Sequence, residues 1–441
     1  MYKGKDKKTM ELFNELMPYG GKLNENNRWI KLRELVPWEE MEKEYAKYFS
    51  DIGRPGLNGQ LVLGVICIKH MLKLSDEDAI GQVLENPYMQ AFCGLEHFAT
   101  ERLFDESSLS RLRKRLGKNY FHRLEKEVLK ILKEKKIIRA RGVMMDATVF
   151  PSGIRFPTDI GLLNEAREKV VMWIKDISRK LEIWTRTYCQ KGRQVYLNFS
   201  KRRKKTKEMV RKTKKQMLQY LRRNVKQFEV LIEKAKEVGI EIKEVIHGQI
   251  EIIKKILVQQ WDMYRRRSHI IKDRIVSYSQ PKVRPMVRRK DGKEVEFGPK
   301  GHLSLVDGYL FLDKISFDSF NEANELKKSV ELYEERFEKK PEVLIADGIY
   351  GNRDNRKLLK EAEIPAALKP LGRKSQTEEY KKQKRWIKKK QRLRNQIEGF
   401  IAHAKEHFGL DKIRYKIDDG AEIWASMGLL MMNLDTALKR I

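Results

Sequence analysis

The chain has 441 residues, of which 41% are hydrophobic, so it is long enough for about three domains and apolar enough to bury a core. Its formal net charge is +32, with 94 Lys and Arg against 62 Asp and Glu. This excess excludes a balanced surface and favours a polyanionic partner, most simply nucleic acid. The alternative is a generically basic surface, as on a ribosome-associated or membrane-skimming protein, and the clustering of the cations disfavours it.

The cysteines indicate a reducing compartment, and the short apolar runs indicate a soluble protein. Cys67, Cys93 and Cys189 are widely spaced and include no CxxC pair, so neither a zinc site nor a disulfide framework is indicated. The first residues lack the apolar core of a secretion signal, and the longest apolar run, residues 61–68, is too short to cross a bilayer. We therefore expect a soluble cytoplasmic protein without a membrane partner.

The first third of the chain has the periodicity of helices. Residues 36–136 predict an all-helical N-terminal domain that spans 1–136. In its last helix the leucines form one face, while Arg111, Lys114 and Arg115 point elsewhere. Short helices that end in a basic amphipathic helix are typical of a helix-turn-helix reader of DNA. A plain helical bundle with a solvated basic face explains the same pattern equally well.

The pattern changes at residue 141. The stretch 141–150, RGVMMDATVF, is short, apolar and rich in β-branched residues, which predicts a buried strand. Residues 160–276 are helical in composition and very basic; ten of the fifteen residues 201–215 are Lys or Arg. We interpret this segment as a helical insertion of two or three helices, with breaks near Gly192 and Gly239.

Strand signals return at about residue 281. Asp291-Gly292 and Asp307-Gly308 predict tight hairpin turns, so residues 283–316 are expected to form an antiparallel meander. Helix, strand, helix, strand and helix patterns follow. The predicted fold class is therefore α/β (α+β), with a mixed sheet flanked by helices in 141–159 and 277–441, interrupted by the basic insertion.

Three carboxylates stand where a structural role is hard to assign. Asp146 lies inside the apolar strand, where a carboxylate is unfavourable unless it is paired or binds a metal. Asp347 follows an apolar strand directly, and α/β sheets collect ligand-handling groups at such ends. Glu398 lies beside the apolar stripe of a helix in a very basic region. Three hard oxygen donors suit Mg²⁺ or Mn²⁺, and two such ions about 3.5–4 Å apart can clamp both reacting oxygens of a phosphodiester.

Each carboxylate also has a structural alternative. Glu398 and Arg394, four residues apart on a helix, are spaced for a surface ion pair worth a few tenths of a kcal/mol. Asp347 is a suitable residue to start a turn. Asp146 is compatible with a satisfied polar group of the core. The joint occurrence of all three in this order favours the metal site.

These segments resemble the DDE transposases of bacterial insertion sequences, which have an RNase H-like catalytic core. The resemblance includes the N-terminal helical domain. It is carried further by four stretches: GVMMDATVF, KGHLSLVDGYLFLDKISFDSFNEA, IADGIYGN and RNQIEGFIAHAKEHFGL. In one branch of the family the last stretch has a Tyr-x₂-Arg-x₃-Glu-x₆-Lys signature. Arg394, Glu398 and Lys405 match this spacing, and Gln391 stands where the family has Tyr.

The resemblance implies roles for these residues. Asp146, Asp347 and Glu398 would be the catalytic metal ligands, and Arg394 and Lys405 would contact DNA phosphates near the scissile bond. The metal would be Mg²⁺ or Mn²⁺, as two ions.

Tyr350 matches an aromatic residue that is common three positions after the second Asp of the family. Two interpretations of it stay open, DNA contact and packing of a turn on the core.

The implied function is transposition. The protein would bind the inverted repeats of its own element as a homodimer on paired ends, close to the nucleoid. It would cut a strand to free a 3′-OH, and that hydroxyl would attack target DNA. Two alternatives are an RNase H-like nuclease without strand transfer and a catalytically idle DNA-binding derivative.

Overall fold

The computed structural model describes residues 22–50, 52, 55–95, 97–290, 293–371 and 377–441. The chain forms two compact units. The main unit comprises residues up to Pro151 together with Pro299–Ile441, and the insertion unit comprises Ser152–Gly298. No helix within the described ranges is long and apolar enough to cross a membrane.

The main unit begins with helices, as the periodicity predicts. They are α1 (Arg28–Arg33), α2 (Trp38–Ala46), α3 (Gly59–Met71), α4 (Asp76–Glu85), α5 (Pro87–Phe92) and α6 (Glu106–Glu134). Helix α3 is buried along nearly its whole length because its residues are apolar on every side. The side chain of Asn58 caps it by accepting a hydrogen bond from the backbone N–H of Leu61. Helix α6 is kinked at Gly117, where φ is 61°.

The rest of the main unit is a sheet with helices. Its elements are β1 (Gly142–Val149), β4 (Lys300–Val306), β5 (Tyr309–Ser316), α11 (Leu326–Phe337), β6 (Val343–Ala346), α12 (Arg353–Glu361), β7 (Ala366–Ala367), α13 (Glu378–Leu393), α14 (Asn395–His407) and α15 (Gly420–Leu438). The strands lie in the order β5-β4-β1-β6-β7. Strand β1 pairs antiparallel with β4 and parallel with β6, so it is central, and this explains its apolar sequence.

The turn between β4 and β5 has the predicted chemistry. Asp307 and Gly308 both have positive φ, 51° and 85°, as a tight two-residue hairpin requires. The predicted single meander over 283–316 is wrong, because β2 (Pro285–Lys290) and β3 (Lys293–Phe297) form a separate two-stranded sheet. Strand β4 is almost wholly buried, whereas the apolar side chains Val287 of β2 and Val295 of β3 are exposed, unlike those of a central strand. The predicted Asp291-Gly292 turn lies outside the described residues.

The insertion unit is built on helices. They are α7 (Asp159–Lys180), α8 (Cys189–Ser200), α9 (Lys207–Glu237) and α10 (Glu244–Arg266). Gly239 lies two residues after the end of α9, next to the C-cap Val238, with φ of 74°, which confirms the predicted break. The predicted break near Gly192 is wrong, because this glycine lies inside α8. A Cβ there would lie 3.2 Å from the Arg167 guanidinium, so close packing rather than a chain break explains the glycine.

Candidate active site at the strand ends

Strand pairing brings two of the predicted carboxylates side by side. Strands β1 and β6 run parallel, and their register ends with Met145 opposite Ala346. The residues that follow Met145 and Ala346 are Asp146 and Asp347. Adjacent strands lie about 4.8 Å apart. Burial, which is the largest cause, raises the pKa of the nearby Tyr350 hydroxyl, and the charges of Asp146 and Asp347 contribute to the rise. Both carboxylates therefore lie close to one buried ring.

Each of these two carboxylates has a local hydrogen bond. An Oδ of Asp146 accepts the backbone N–H of Ala147 at 2.8 Å, and an Oδ of Asp347 accepts that of Gly348 at 2.6 Å. The second bond caps a short 3₁₀ turn, residues 348–350, so Asp347 does start a turn. Asp347 is exposed, and the side chain of Asp146 is 17% exposed. Solvent and a ligand can therefore reach both.

The side chain of Gln391 fixes α13, the helix that leads to the third carboxylate, Glu398. The side-chain amide of Gln391, near the end of α13, donates to the carbonyl oxygen of Ala346 at 2.9 Å and also to that of Ala367. These carbonyls belong to the ends of β6 and β7, and Ala346 directly precedes Asp347. Gln391 thus holds the helix that leads to Glu398 against the edge of the sheet. The sequence marked this position only as a departure from the family's Tyr.

An arginine connects the third carboxylate to the first. The Arg394 guanidinium lies 3.2 Å from Oε1 of Glu398 and 3.8 Å from Oδ2 of Asp146. Arg394 occupies the turn between α13 and α14, and α14 is held by the buried side chains of Ile397 and Ile401. The ion pair that the sequence offers as an alternative for Glu398 is therefore present. The same contact places Glu398 and Asp146 around one cationic group.

The donor chemistry of this site fits a hard divalent cation. Asp146, Asp347 and Glu398 supply only carboxylate oxygens, the donors that Mg²⁺ and Mn²⁺ prefer. Within the described ranges, no group of three or more His, Cys, Asp or Glu side chains is arranged as a ready metal site. The Arg394 guanidinium lies within 4 Å of two of these carboxylates, those of Asp146 and Glu398, and partly offsets their charge.

A buried polar network lies beside the site, and sequence reasoning missed it. His302 of β4 is fully buried; its Nε2 lies 2.7 Å from the Tyr350 hydroxyl and its Nδ1 3.0 Å from Oγ of Ser329. Asp313 lies 3.7 Å from Nδ1 of His302 and 2.5 Å from the guanidinium of Arg336. No spacing in the sequence connects these residues; the only signal was one histidine in a strand that is largely buried.

Arg336 dominates the electrostatics of this network. Burial alone would raise the pKa of Asp313, whose side chain is 2% exposed. The adjacent Arg336, and after it His302, overcome burial and lower the pKa to about 2. Asp313 is therefore a buried anion that is stabilised by a paired cation.

Tyr350 does not fit the predicted contact with DNA. Its side chain is fully buried, and its hydroxyl is hydrogen-bonded to His302. The other interpretation that the sequence left open, a turn residue that packs on the core, agrees with this position. The ring holds the turn that follows Asp347.

Besides Arg394, three of the cations predicted to bind DNA lie on α6 and one lies on α14. Arg111, Lys114 and Arg115 are all exposed on α6, away from its buried leucine face. Their neighbour Arg113 is different, because it is buried and holds Asp76 through two hydrogen bonds of 2.6 and 2.9 Å. Lys405 is half-buried in the last turn of α14.

Known protein families match two parts of the chain. The family described as Transposase domain (DUF772) matches residues 18–115, and the family described as Transposase DDE domain matches residues 344–435. The chain belongs to the DDE transposases. A protein of Rhizobium meliloti, described as uncharacterized protein ORF8 in nfe locus, is 31% identical to this transposase over 156 residues, 35% of this chain and 75% of that protein. No solved structure matches the chain.

The matches agree with the fold. The transposase has an RNase H-like mixed sheet, in which β4 is antiparallel to β1 and β5 is antiparallel to β4, whereas β6 is parallel to β1 and β7 is parallel to β6. The DDE match contains Asp347 and Glu398, and the other match contains Arg111, Lys114 and Arg115. Neither of these two matches includes Asp146 or the insertion unit, so the role of Asp146 depends on its position beside Asp347.

Proposed function

We propose that this transposase binds the inverted repeats of its element and performs metal-dependent strand cleavage and strand transfer. Asp146, Asp347 and Glu398 are the proposed catalytic residues. The observation that carries the proposal is the parallel pairing of β1 with β6, which sets Asp146 beside Asp347. The contact of Arg394 with both Asp146 and Glu398 supports the inclusion of the third carboxylate.

The three carboxylates would hold Mg²⁺ or Mn²⁺, two ions by analogy with the family. When bound, such cations make water a stronger nucleophile and neutralise charge on the reacting phosphodiester oxygens. In this site the carboxylates supply the negative charge that attracts the cations into a basic protein. Asp146 lies on β1 and Asp347 directly follows β6, so the sheet positions both, whereas Glu398 is held through Arg394 and α14.

The proposed chemistry is two in-line displacements. In cleavage, a water oxygen attacks the phosphorus, the bond from phosphorus to the 3′ oxygen breaks, and the products are a 5′-phosphate and a 3′-OH. In transfer, this 3′ oxygen attacks a phosphodiester of target DNA and releases a target 3′-OH. Each phosphodiester broken in transfer is replaced by another, so no energy source is needed. The protein's share is positioning and charge stabilisation.

Cations of the main unit would hold the DNA. Arg394 and Lys405 would donate charge-assisted hydrogen bonds to phosphates close to the cut. Arg111, Lys114 and Arg115 would contact the inverted repeats, which agrees with their exposure on α6. A homodimer on paired ends would act at the nucleoid in the cytoplasm.

A strand-transfer assay tests this function. The purified protein is mixed with Mg²⁺, a target plasmid and duplexes that carry either the pre-cut or the uncut ends of the element encoding this chain. Joined products support the transposase. Cutting of uncut ends without joining would identify a nuclease instead, and binding without either reaction would identify an idle DNA-binding derivative.

A further inference from the structure

One end of the insertion unit carries a dense group of cations without acidic partners. Of the ten Lys and Arg residues in 201–215, Lys214 is buried and pairs with Asp159 at 2.8 Å. The other nine are exposed, and none forms an ion pair with an acidic residue in the described part of the chain. They are Lys201, Arg202, Arg203, Lys204, Lys205, Lys207, Arg211, Lys212 and Lys215. Glu208 is the one acid within the segment.

The end of α10 adds cations to this group. Arg211 of α9 donates to the carbonyl oxygen of Tyr264 at 3.2 Å, and its guanidinium lies 4.3 Å from the centre of that ring. This contact holds the last turn of α10 beside the first turns of α9. Arg265 and Arg267, both exposed, lie just after Tyr264. We name residues 201–215 with Arg265 and Arg267 the cationic end.

Apart from Arg211, the exposed cations of the cationic end have no packing role in the core of the insertion unit. Helix α9 packs through its apolar face, on which Met217, Leu218 and Leu221 are fully buried. The exposed cations are crowded along the chain and repel one another, since charges are screened only beyond the Debye length, about 8 Å at physiological salt. Their repulsion destabilises the unit unless an anionic partner compensates it.

We propose that the cationic end binds the phosphate backbone of double-stranded DNA without reading its sequence. Lys and Arg contacts to phosphate supply affinity and position but no base discrimination. Two rings beside the cationic end, Tyr264 and Trp261, are half-buried and already have cations next to them, since Arg211 stacks on Tyr264 and Arg265 lies 5.5 Å from the ring centre of Trp261. This disfavours single strands, which need open aromatic faces for base stacking.

A membrane surface is the weaker candidate partner. Amphipathic helices bind lipid by inserting exposed apolar side chains beside their cations. Within 201–215 the two large apolar residues, Met209 and Val210, are half-buried, and the exposed residues are cations, Thr206 and Glu208.

The proposal deepens the proposed function and rests on it, since it assigns the sequence-independent part of DNA binding to the insertion unit.

The test uses two full-length variants that lose the same charge from the same unit. The first replaces Lys201, Lys204, Lys205 and Lys207 by Gln. The control replaces the exposed Lys226, Lys234, Lys243 and Lys255 by Gln, none of which forms an ion pair among the described residues. Binding to a fluorescein-labelled 30-bp duplex of random sequence is followed by anisotropy at several NaCl concentrations. EDTA is present, so that cleavage cannot interfere.

For the first variant we expect affinity to fall at least tenfold at 150 mM NaCl. The slope of log Kd against log salt should become shallower by about 0.9 for each phosphate that the variant no longer neutralises. The control should stay within about twofold of the wild type. An unchanged slope, or an equal fall in affinity of the control, would overturn the proposal.

Two further measurements distinguish DNA binding by the cationic end from binding of lipid or RNA and from a role of the lysines in catalysis. A larger loss of binding to phosphatidylglycerol vesicles or to a 30-nucleotide RNA hairpin than to the duplex would overturn it. At saturating DNA, the first variant should still cut and join; a complete loss of both would assign the lysines to catalysis and overturn it as well. Failure of the wild type to cut, with its salt slope intact, would contradict only the proposed function.

Discussion

The hydroxyl of Tyr350 lies 2.7 Å from Nε2 of His302 in the interior of the main unit. Tyr350 belongs to the turn that starts at Asp347, and His302 belongs to β4, on the other side of β1. The bond therefore ties the end of β6 to a strand that is not its neighbour in the sheet. Because both side chains are fully buried, water cannot replace it.

Tyr350→Phe should lower the free energy of unfolding by about 1–3 kcal/mol, because it leaves a buried nitrogen of His302 without its partner. The control is Tyr380→Phe on α13, where the side chain is partly exposed, and it should change stability by less than about 0.5 kcal/mol. Urea unfolding of both variants measures the difference. Equal effects would show that the bond to His302 contributes nothing specific.

Asp146→Asn, Asp347→Asn and Glu398→Gln should each abolish cleavage, because each removes one negative oxygen donor while keeping the size of the side chain. Binding of duplex DNA in EDTA should persist in all three. Asp354→Asn, an exposed acid on α12, serves as the control and should cut normally. Cleavage that survives one of the three changes would remove that residue from the site.

Arg394→Gln should have opposite effects on metal binding and on catalysis. Without the guanidinium, Asp146 and Glu398 lose the cation that lies 3.8 and 3.2 Å from them, so the site should attract Mn²⁺ more strongly. Thermal unfolding in a Mn²⁺ titration should show stabilisation at lower metal concentrations than in the wild type. Cleavage should fall more than tenfold, because the side chain no longer holds a phosphate through a charged donor. Unchanged metal affinity would contradict the bridging role.

Gln391→Glu should detach α13 from the sheet. The two acceptors of the Gln391 amide are carbonyl oxygens, and a carboxylate would repel them. We expect a decrease of about 1–3 kcal/mol in unfolding free energy and slower cleavage, since α13 leads to Glu398. Gln396→Glu, an exposed position on α14, is the matched control. Equal stability of the two variants would contradict the role of Gln391 in holding α13 against the sheet.

Asp313→Asn should reveal a pH-dependent contribution to stability. The pKa of Asp313 is about 2 in the folded protein, below the unfolded value of about 3.9. The ionised carboxylate therefore stabilises the fold above about pH 4, and this contribution disappears as pH falls through about 2. Near pH 7 the wild type has the ionised Asp313 paired with Arg336, whereas the variant leaves Arg336 unpaired, so the difference in unfolding free energy should be largest there. It should shrink between pH 4 and 2, as the carboxylate of the wild type becomes protonated.

Urea unfolding at pH 7, 4 and 2.5 measures this difference. Asp318→Asn, an exposed acid close to Asp313 in sequence, is the control and should show no comparable trend. A difference that stays constant with pH would mean that the carboxylate of Asp313 is not ionised in the fold.

Features that depend on local chemistry could be derived from the chain alone. The apolar run around Asp146, the strand before Asp347 and the Asp307-Gly308 turn were predicted and are present, because periodicity and positive φ are properties of neighbouring residues. The order of the carboxylates and the family resemblance were also visible in the amino-acid sequence. The functional division into domains stays a prediction.

Which distant residues meet became visible only in the folded chain. Gln391 reaches a carbonyl 45 residues earlier, and His302 meets Tyr350 across 48 residues. Strands β2 and β3 do not join the predicted meander because burial, not proximity in the chain, selects the partners of a central strand. Arg394 contacts Asp146 because the helix that leads to it docks on the strand ends. Such contacts follow from packing, for which a single sequence has no local signal.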